Sequence, residues 1–179
     1  FGTGRQEGAA ETLRRQRSLL KSGRLTRDNP QLERWKGLLC YHLDMSGAQL
    51  FSHSGVDILT DGNEKFDALL SDLASAEHFI HIQYYIIRND ALFYRLLEVL
   101  KEKAAQGVCV RILYDGMGCR NTPRSFWRTL EQSGIRTAEF FPAFLGRLQL
   151  RVNYRNHRKI VVIDDRVGYV GGFNIGKEY

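Results

Sequence analysis

The chain holds one segment whose residue types and spacing can act on a phosphate ester. From Asn156 to Asn174 it reads N-H-R-K-I-V-V-I-D-D-R-V-G-Y-V-G-G-F-N. His157, Lys159 and Asp164 stand in it at the spacing H-x-K-x-x-x-x-D. An imidazole, with an unperturbed pKa of about 6.5, can serve as a nucleophile near neutrality. The Lys159 ammonium can neutralise phosphate oxygens whose charge grows in the transition state. Asp164 offers a carboxylate that could orient a histidine or balance the site's charge. His157 and Lys159 are two apart, so on an extended chain they face the same side. Gly171 and Gly172 allow a backbone to approach a ligand closely, and the Asn174 amide can donate to a phosphate oxygen. A His, a Lys and an Asp this close together also occur by chance. The composite is what sets the segment apart: triad, apolar strand, second strand, then G-G-x-N.

Other polar residues carry weaker signals. Tyr84 and Tyr85 read first as packed strand residues, and His81 as a hydrogen-bonded core histidine. Asp115 ends a strand, where open α/β sheets place their sites, yet it also reads as a turn residue. Arg155 and Arg158 lie on either side of His157 in sequence, and one of them reads as solvated or as a contact for a lipid headgroup. The cysteines are three, Cys40, Cys109 and Cys119. Their spacing matches no metal pattern, Cys109 reads as a buried thiol, and a reducing compartment fits them best. No metal and no cofactor is expected.

The elements that must position these groups are legible from Val56 onward. Val56 to Leu59 reads as a short strand. Asp61 can cap a helix, with Glu64 as its capping-box partner. Phe66, Leu69, Leu70, Leu73 and Ala76 then fall on one helical face. His78 to Ile87 reads as a strand covered on both sides. Ala91 to Gln106 is a second helix with Gly107 as its stop, and Val108 to Tyr114 a strand ending at Asp115. A third helix runs from Pro123 to Ser133, with Gly134 after it. Ile135 to Phe141 is a further strand. Lys159–Ile163 and Val167–Val170 read as a hairpin closed around Asp164-Asp165-Arg166. This order predicts an α/β fold with a mixed, mostly parallel sheet, right-handed crossovers and helices on both faces.

Residues 1–54 differ in character and are expected to form a basic, variable amino-terminal segment, ahead of a catalytic lobe over 55–179. Ala9 to Leu20 has a thin helical face, Asn29-Pro30 marks a turn, and residues 37–54 show no clear period. Residues 1–36 hold nine bases and four acids, so +5 of the chain's +6 lies there. Such a segment suits an anionic membrane surface, or is a solvated arm. Nucleic acid is not expected, since no aromatics interleave with the bases. No run approaches the roughly 18 apolar residues of a membrane span. The first residue is Phe1 rather than methionine, which suggests a portion of a longer protein.

The composite motif resembles the signature of the phospholipase D superfamily. The stretches I-L-T-D-G-N-E-K-F at 58–66, H-I-Q-Y-Y-I-I-R-N-D at 81–90, G-V-C-V-R-I-L-Y-D-G-M-G at 107–118, L-R-V-N-Y-R-N-H-R-K-I-V-V-I-D at 150–164 and G-Y-V-G-G-F-N-I-G-K-E-Y at 168–179 are similar to bacterial cardiolipin synthases. That resemblance implies one half of a two-lobe fold and metal-free double displacement on a phosphodiester. His157 would be the nucleophile, Lys159 a phosphate ligand, Asp164 a supporting carboxylate and Asn174 a second phosphate contact. It implies that two phosphatidylglycerol molecules give cardiolipin and glycerol, on the cytoplasmic side of a bacterial membrane. Two motifs are needed and this chain carries one. The second would come from a second lobe of a longer chain, the favoured expectation, or from a second copy in a homodimer. The alternatives are another phosphodiesterase of the superfamily, a lipid hydrolase or dimeric nuclease, and an inactive lipid-binding module.

Overall fold

The computed structural model describes residues 3–27, 30–51, 55–141 and 155–177. The chain divides into two compact units, Phe1–Asp57 and Ile58–Tyr179. Asn29, the loop after Phe141 and the 150–154 part of the resemblance lie outside the described residues.

The first unit is helical: α1 (Thr3–Lys21), α2 (Arg24–Arg27), α3 (Pro30–Arg34) and α4 (Lys36–Tyr41), which runs into a π-helical turn at His42–Ser46. The sequence predicts a helix over 9–20 and shows no clear period over 37–54. The missing signal is a wide apolar face: among the described residues of this unit, Leu20 and Leu43 are the only apolar side chains fully buried. Polar contacts fasten the unit instead. The Arg17 guanidinium donates to the Leu43 carbonyl at 2.7 Å and pairs with Asp44 at 2.8 Å. The Gln16 amide exchanges two hydrogen bonds with the Leu50 backbone.

The strand expected over 56–59 does not form. Val56 and Ile58 are each 83% exposed and pair with nothing described, because β-branched residues make a strand only where a neighbouring edge accepts them. The Asp61 side chain then accepts from Asn63 and Glu64 N–H, capping α5 (Gly62–Ala74) as expected. There follow β1 (Phe79–Tyr84), α6 (Ala91–Ala105), β2 (Cys109–Asp115), α7 (Arg124–Gln132), β3 (Arg136–Phe140), β4 (Ile160–Ile163) and β5 (Val167–Val170). Gly107 and Gly134 take positive φ after α6 and α7, the left-handed stop that glycine permits.

The sheet order is β3-β2-β1-β4-β5. β1, β2 and β3 run parallel, while β4 is antiparallel to β1 and β5 to β4. The sheet is thus mixed α/β, and β4 and β5 form the expected hairpin. Its turn is two residues long: Arg166 N–H bonds the Ile163 carbonyl at 2.9 Å, and Asp164 and Asp165 have φ of 52° and 55°. Two successive positive φ values make a type I′ turn, whose twist matches the strands it joins.

One face of the sheet carries Ile80, Ile82, Tyr84, Val110, Ile112, Tyr114, Val161 and Ile163, all buried in a single core with side chains from α5, α6 and α7. The Tyr114 ring stacks on Trp127 at 3.6 Å. The opposite face holds the half-buried Phe79, His81, Gln83 and Val162 and the exposed Arg111. Helices on both faces were expected, but within this unit the described helices cover one. Successive right-handed crossovers that step in one direction, β1 to β2 to β3, leave their helices on the same side. The alternation predicted a two-sided apolar strand because Phe79 and Ile87 masked the polar residues between them. Cys109 and His81 are accordingly only partly buried.

One buried group in this core sets a pH dependence. Lys65, in the first turn of α5, is 8% exposed, donates to the Tyr84 hydroxyl at 2.7 Å and lies 3.5 Å from the centre of the Phe66 ring. Burial holds its amine down to about 7. The unfolded chain therefore binds this proton more readily between about pH 7 and pH 10.5, and stability rises with pH across that window. Denaturant unfolding should show a contribution of about 2 kcal/mol between pH ~7 and pH ~9.5. Lys65→Met is expected to flatten that slope.

Candidate active site

The site is built where the parallel strands end. Asn156, His157 and Arg158 lead into β4, which lies beside β1 with Ile160 opposite Gln83. His157 is exposed and Lys159 is buried. The Lys159 Nζ stands 3.1 Å from each ring nitrogen of His157 and donates to the His157 carbonyl at 3.0 Å. The His157 ring rests against Tyr85 with centroids 4.7 Å apart, and Nζ lies 5.4 Å from the Tyr85 ring centre. Burial lowers the Lys159 pKa. An imidazole open to solvent thus shares a small volume with an amine seated beneath it, which can receive the oxygens of a group bonded to the ring.

Asn174 comes to the same end of β1. It is buried, and its Oδ1 accepts from the Ile86 N–H at 3.2 Å. Ile175 then exchanges backbone bonds with Ile86 and Arg88. Gly171 donates its N–H to the Lys159 carbonyl at 3.3 Å. Gly171 and Gly172 are exposed, and a Cβ at either would meet nothing within 4 Å, so this chain's own atoms do not require glycine there. The glycine that packing does require is Gly118, where a Cβ would fall 2.0 Å from the Tyr85 carbonyl oxygen.

Asp164 is not brought to His157. It lies beyond the far end of β4, where its carboxylate accepts from the N–H groups of Glu77, His78 and Phe79 at 2.7, 2.9 and 2.7 Å. A residue seven positions along an extended chain is displaced by roughly 20 Å, so the expected orienting of the imidazole by this carboxylate is not seen. The physical reason is the turn: at φ 52° the side chain folds back over the start of β1.

A different carboxylate reaches the histidine's neighbour. Asp115, at the end of β2, is completely buried. Its Oδ1 accepts from Met117 and Gly118 N–H and its Oδ2 from the Asn156 N–H, each at 2.9 Å. The Asn156 side-chain oxygen accepts from the Gln83 amide at 2.7 Å. Gln83 and Asn156 carried no sequence signal, since an amide pair across two strands is visible only once the register is known. Asp115→Asn should keep the first two bonds but turn an N–H₂ toward the Asn156 N–H, costing about 1–2 kcal/mol. We expect a drop in turnover of roughly tenfold with KM little changed, measured beside thermal unfolding.

Cys119 is structural: its sulfur accepts from the Ile87 N–H at 3.2 Å and meets the Tyr85 carbonyl at 3.6 Å. Burial pushes its thiol up to about 11. Arg158 is exposed, and the Arg155 guanidinium lies 5.5 Å from the Phe141 ring. Among the described residues no group of three or more His, Cys, Asp or Glu side chains could hold a metal ion.

A family model described as cardiolipin synthase, PLD-like domain, matches residues 69–179. The chain belongs to that family. Curated relatives agree with the family match. The cardiolipin synthase of Listeria innocua is 43% identical over 172 residues, covering 96% of this chain and 36% of the relative. The major cardiolipin synthase ClsA of Bacillus subtilis is 47% identical over 142 residues, covering 79% and 30%. This member of the cardiolipin synthase family therefore spans about a third of the length of the curated relatives it matches. Among solved structures, NucT from Helicobacter pylori superposes with a TM-score of 0.50 at 21% identity, over 65% of this chain and 70% of that one, which speaks for the fold.

Proposed function

We propose that the full-length protein is a phosphatidyltransferase that joins two phosphatidylglycerol molecules into cardiolipin with release of glycerol. The observation that carries this reading is the exposed His157 imidazole with the Lys159 amine 3.1 Å from both ring nitrogens, in a chain of the cardiolipin synthase family. A ring nitrogen of His157 attacks phosphorus, and the phosphorus–oxygen bond to the headgroup glycerol breaks. A second imidazole gives that oxygen its proton. The same imidazole then takes the proton of a hydroxyl on the second phosphatidylglycerol, whose oxygen attacks phosphorus and breaks the bond to His157. Lys159 and the Asn174 amide bind the phosphate oxygens. Asp164 acts on the fold that holds the histidine rather than on the ring.

The second imidazole comes from a second motif, in another lobe of the same protein or in a second copy of this chain. The length of the curated relatives favours the lobe. The catalytic lobe works at the cytoplasmic face of the membrane, on anionic lipid. The test is full-length protein on phosphatidylglycerol, with cardiolipin and glycerol appearing in equal amounts and a quench in neutral denaturant, which spares the acid-labile P–N bond, trapping a phosphatidyl-histidine. Release of phosphatidic acid without cardiolipin, or cleavage of DNA without lipid turnover, would replace this reading with a hydrolase or a nuclease.

A further inference from the structure

The amino-terminal unit carries an apolar face that the catalytic reading leaves unused. α4 and the π-helical turn after it form a continuous helical run from Lys36 to Ser46. Its inner side holds Leu43, buried, and Leu39, partly buried. Arg17 of α1 fixes that side through the Leu43 carbonyl and Asp44. Leu38 and Tyr41 follow at i and i+3, so they share the other side, with Met45 on the π-helical turn beyond them and Trp35 just before the run. These four are 50–71% exposed.

A helical face turned to water normally carries charge. Here residues 37–43 read G-L-L-C-Y-H-L, with no acid, lysine or arginine. Charge lies on the neighbouring residues instead. The Arg34 guanidinium sits 5.4 Å from the Trp35 ring centre, and Lys21, Arg24 and Arg27 are exposed on the preceding elements. The two acids closest in sequence are engaged by bases: Glu33 with Lys36 at 3.2 Å and Asp44 with Arg17.

We infer that Trp35, Leu38, Tyr41 and Met45 dock in the interface of a bilayer with anionic headgroups. Tryptophan and tyrosine suit that interface because one end of the ring is apolar and the other polar. Leucine and methionine reach below it, and the surrounding arginines meet the lipid phosphates. A second copy of the chain would bring the same positive surplus against itself, whereas an anionic bilayer neutralises it. Among the described residues no helix is long and apolar enough to cross a membrane, so this contact lies along the surface. The inference rests on the proposed action on anionic lipid but is tested apart from it.

Trp35 supplies the probe. The other tryptophan, Trp127, is buried against Tyr114, and its emission should not move. The chain is titrated with vesicles of phosphatidylcholine containing phosphatidylglycerol, and with phosphatidylcholine alone. A blue shift and gain of emission with the anionic vesicles is expected, absent from Trp35→Phe. The double variant Leu38→Asp, Met45→Asp should bind these vesicles at least about tenfold more weakly, with unchanged thermal unfolding. Binding of the double variant equal to the parent's, or sedimentation with vesicles while Trp35 emission stays fixed, would overturn the inference in favour of a contact through charge alone. A blue shift that grows with protein concentration and needs no vesicles would overturn it in favour of self-association. Turnover of detergent-dispersed phosphatidylglycerol by full-length protein keeps the two proposals apart. The double variant should retain it, and a parent lacking it would refute the transferase while leaving the vesicle result standing.

Discussion

Exchange of His157 for glutamine in the full-length protein is expected to end lipid transfer while leaving the fold intact. The ring is exposed and only rests against Tyr85, so the longer amide fits the same space and removes little buried area. It has no ring nitrogen that can form a bond to phosphorus. Loss of a covalent nucleophile costs about a thousand- to a million-fold in turnover, and no phosphatidyl-histidine should be trapped on quenching in neutral denaturant. Thermal unfolding is expected to shift by less than about 2 °C, as for ordinary surface changes of roughly 0.5 kcal/mol. Activity within about tenfold of the parent would remove His157 from the nucleophile's role.

Asp164→Ala should act in the opposite manner, severely on stability and mildly on the chemistry of those molecules that remain folded. The carboxylate satisfies three N–H groups at the start of β1, and alanine also disfavours the positive φ of this position. Together these losses should cost about 4 kcal/mol, or roughly 10 °C or more in melting temperature. Asp164→Asn keeps the turn geometry and part of the acceptor capacity, and should fall between alanine and the parent. Asp164→Gly relieves φ but loses all three bonds, so it should resemble alanine more than asparagine. Desolvation works against ionisation here, but the N–H groups of Glu77, Phe79 and His78 outweigh it, with the charge of His78 adding to them, and the carboxyl falls to about 2. A depressed folded pKa contributes stability above the ordinary aspartate range that is lost as pH falls toward 2. The acid limb of the parent's stability curve should therefore flatten in Asp164→Ala. The measurement that decides is turnover per folded molecule at low temperature. A loss matching that of His157→Gln would place Asp164 in the chemistry after all.

These two residues show what the sequence could and could not disclose. The H-x-K pair was legible because a two-residue spacing has one outcome on an extended chain, and His157 and Lys159 do face one another. The helices over 62–74, 91–105 and 124–132 were legible from periodicity and from Asp61, Gly107 and Gly134 at their ends. The place of Asp164 was not legible, because nearness in sequence is not nearness in space and a strand carries successive residues apart. Asp115 read as ambiguous and Gln83 and Asn156 passed unnoticed, since their meeting depends on which strands are neighbours. Residues 37–54 gave no period because their helical run is fastened through backbone carbonyls and one buried leucine, a pattern that hydrophobic spacing does not report.

The order of strands in the sheet also fixes an order of events. Asp164 and the N–H of Glu77 that it accepts from are 87 positions apart, and β4 must find β1 across both crossovers. Closing so long a loop is among the slowest steps a chain of this size takes. The β1–β2–β3 half can form with local crossovers while the His157 imidazole is still unplaced. A nascent or partly unfolded molecule would thus hold much of its core and no working centre, and recovery of activity should trail recovery of helical signal during refolding.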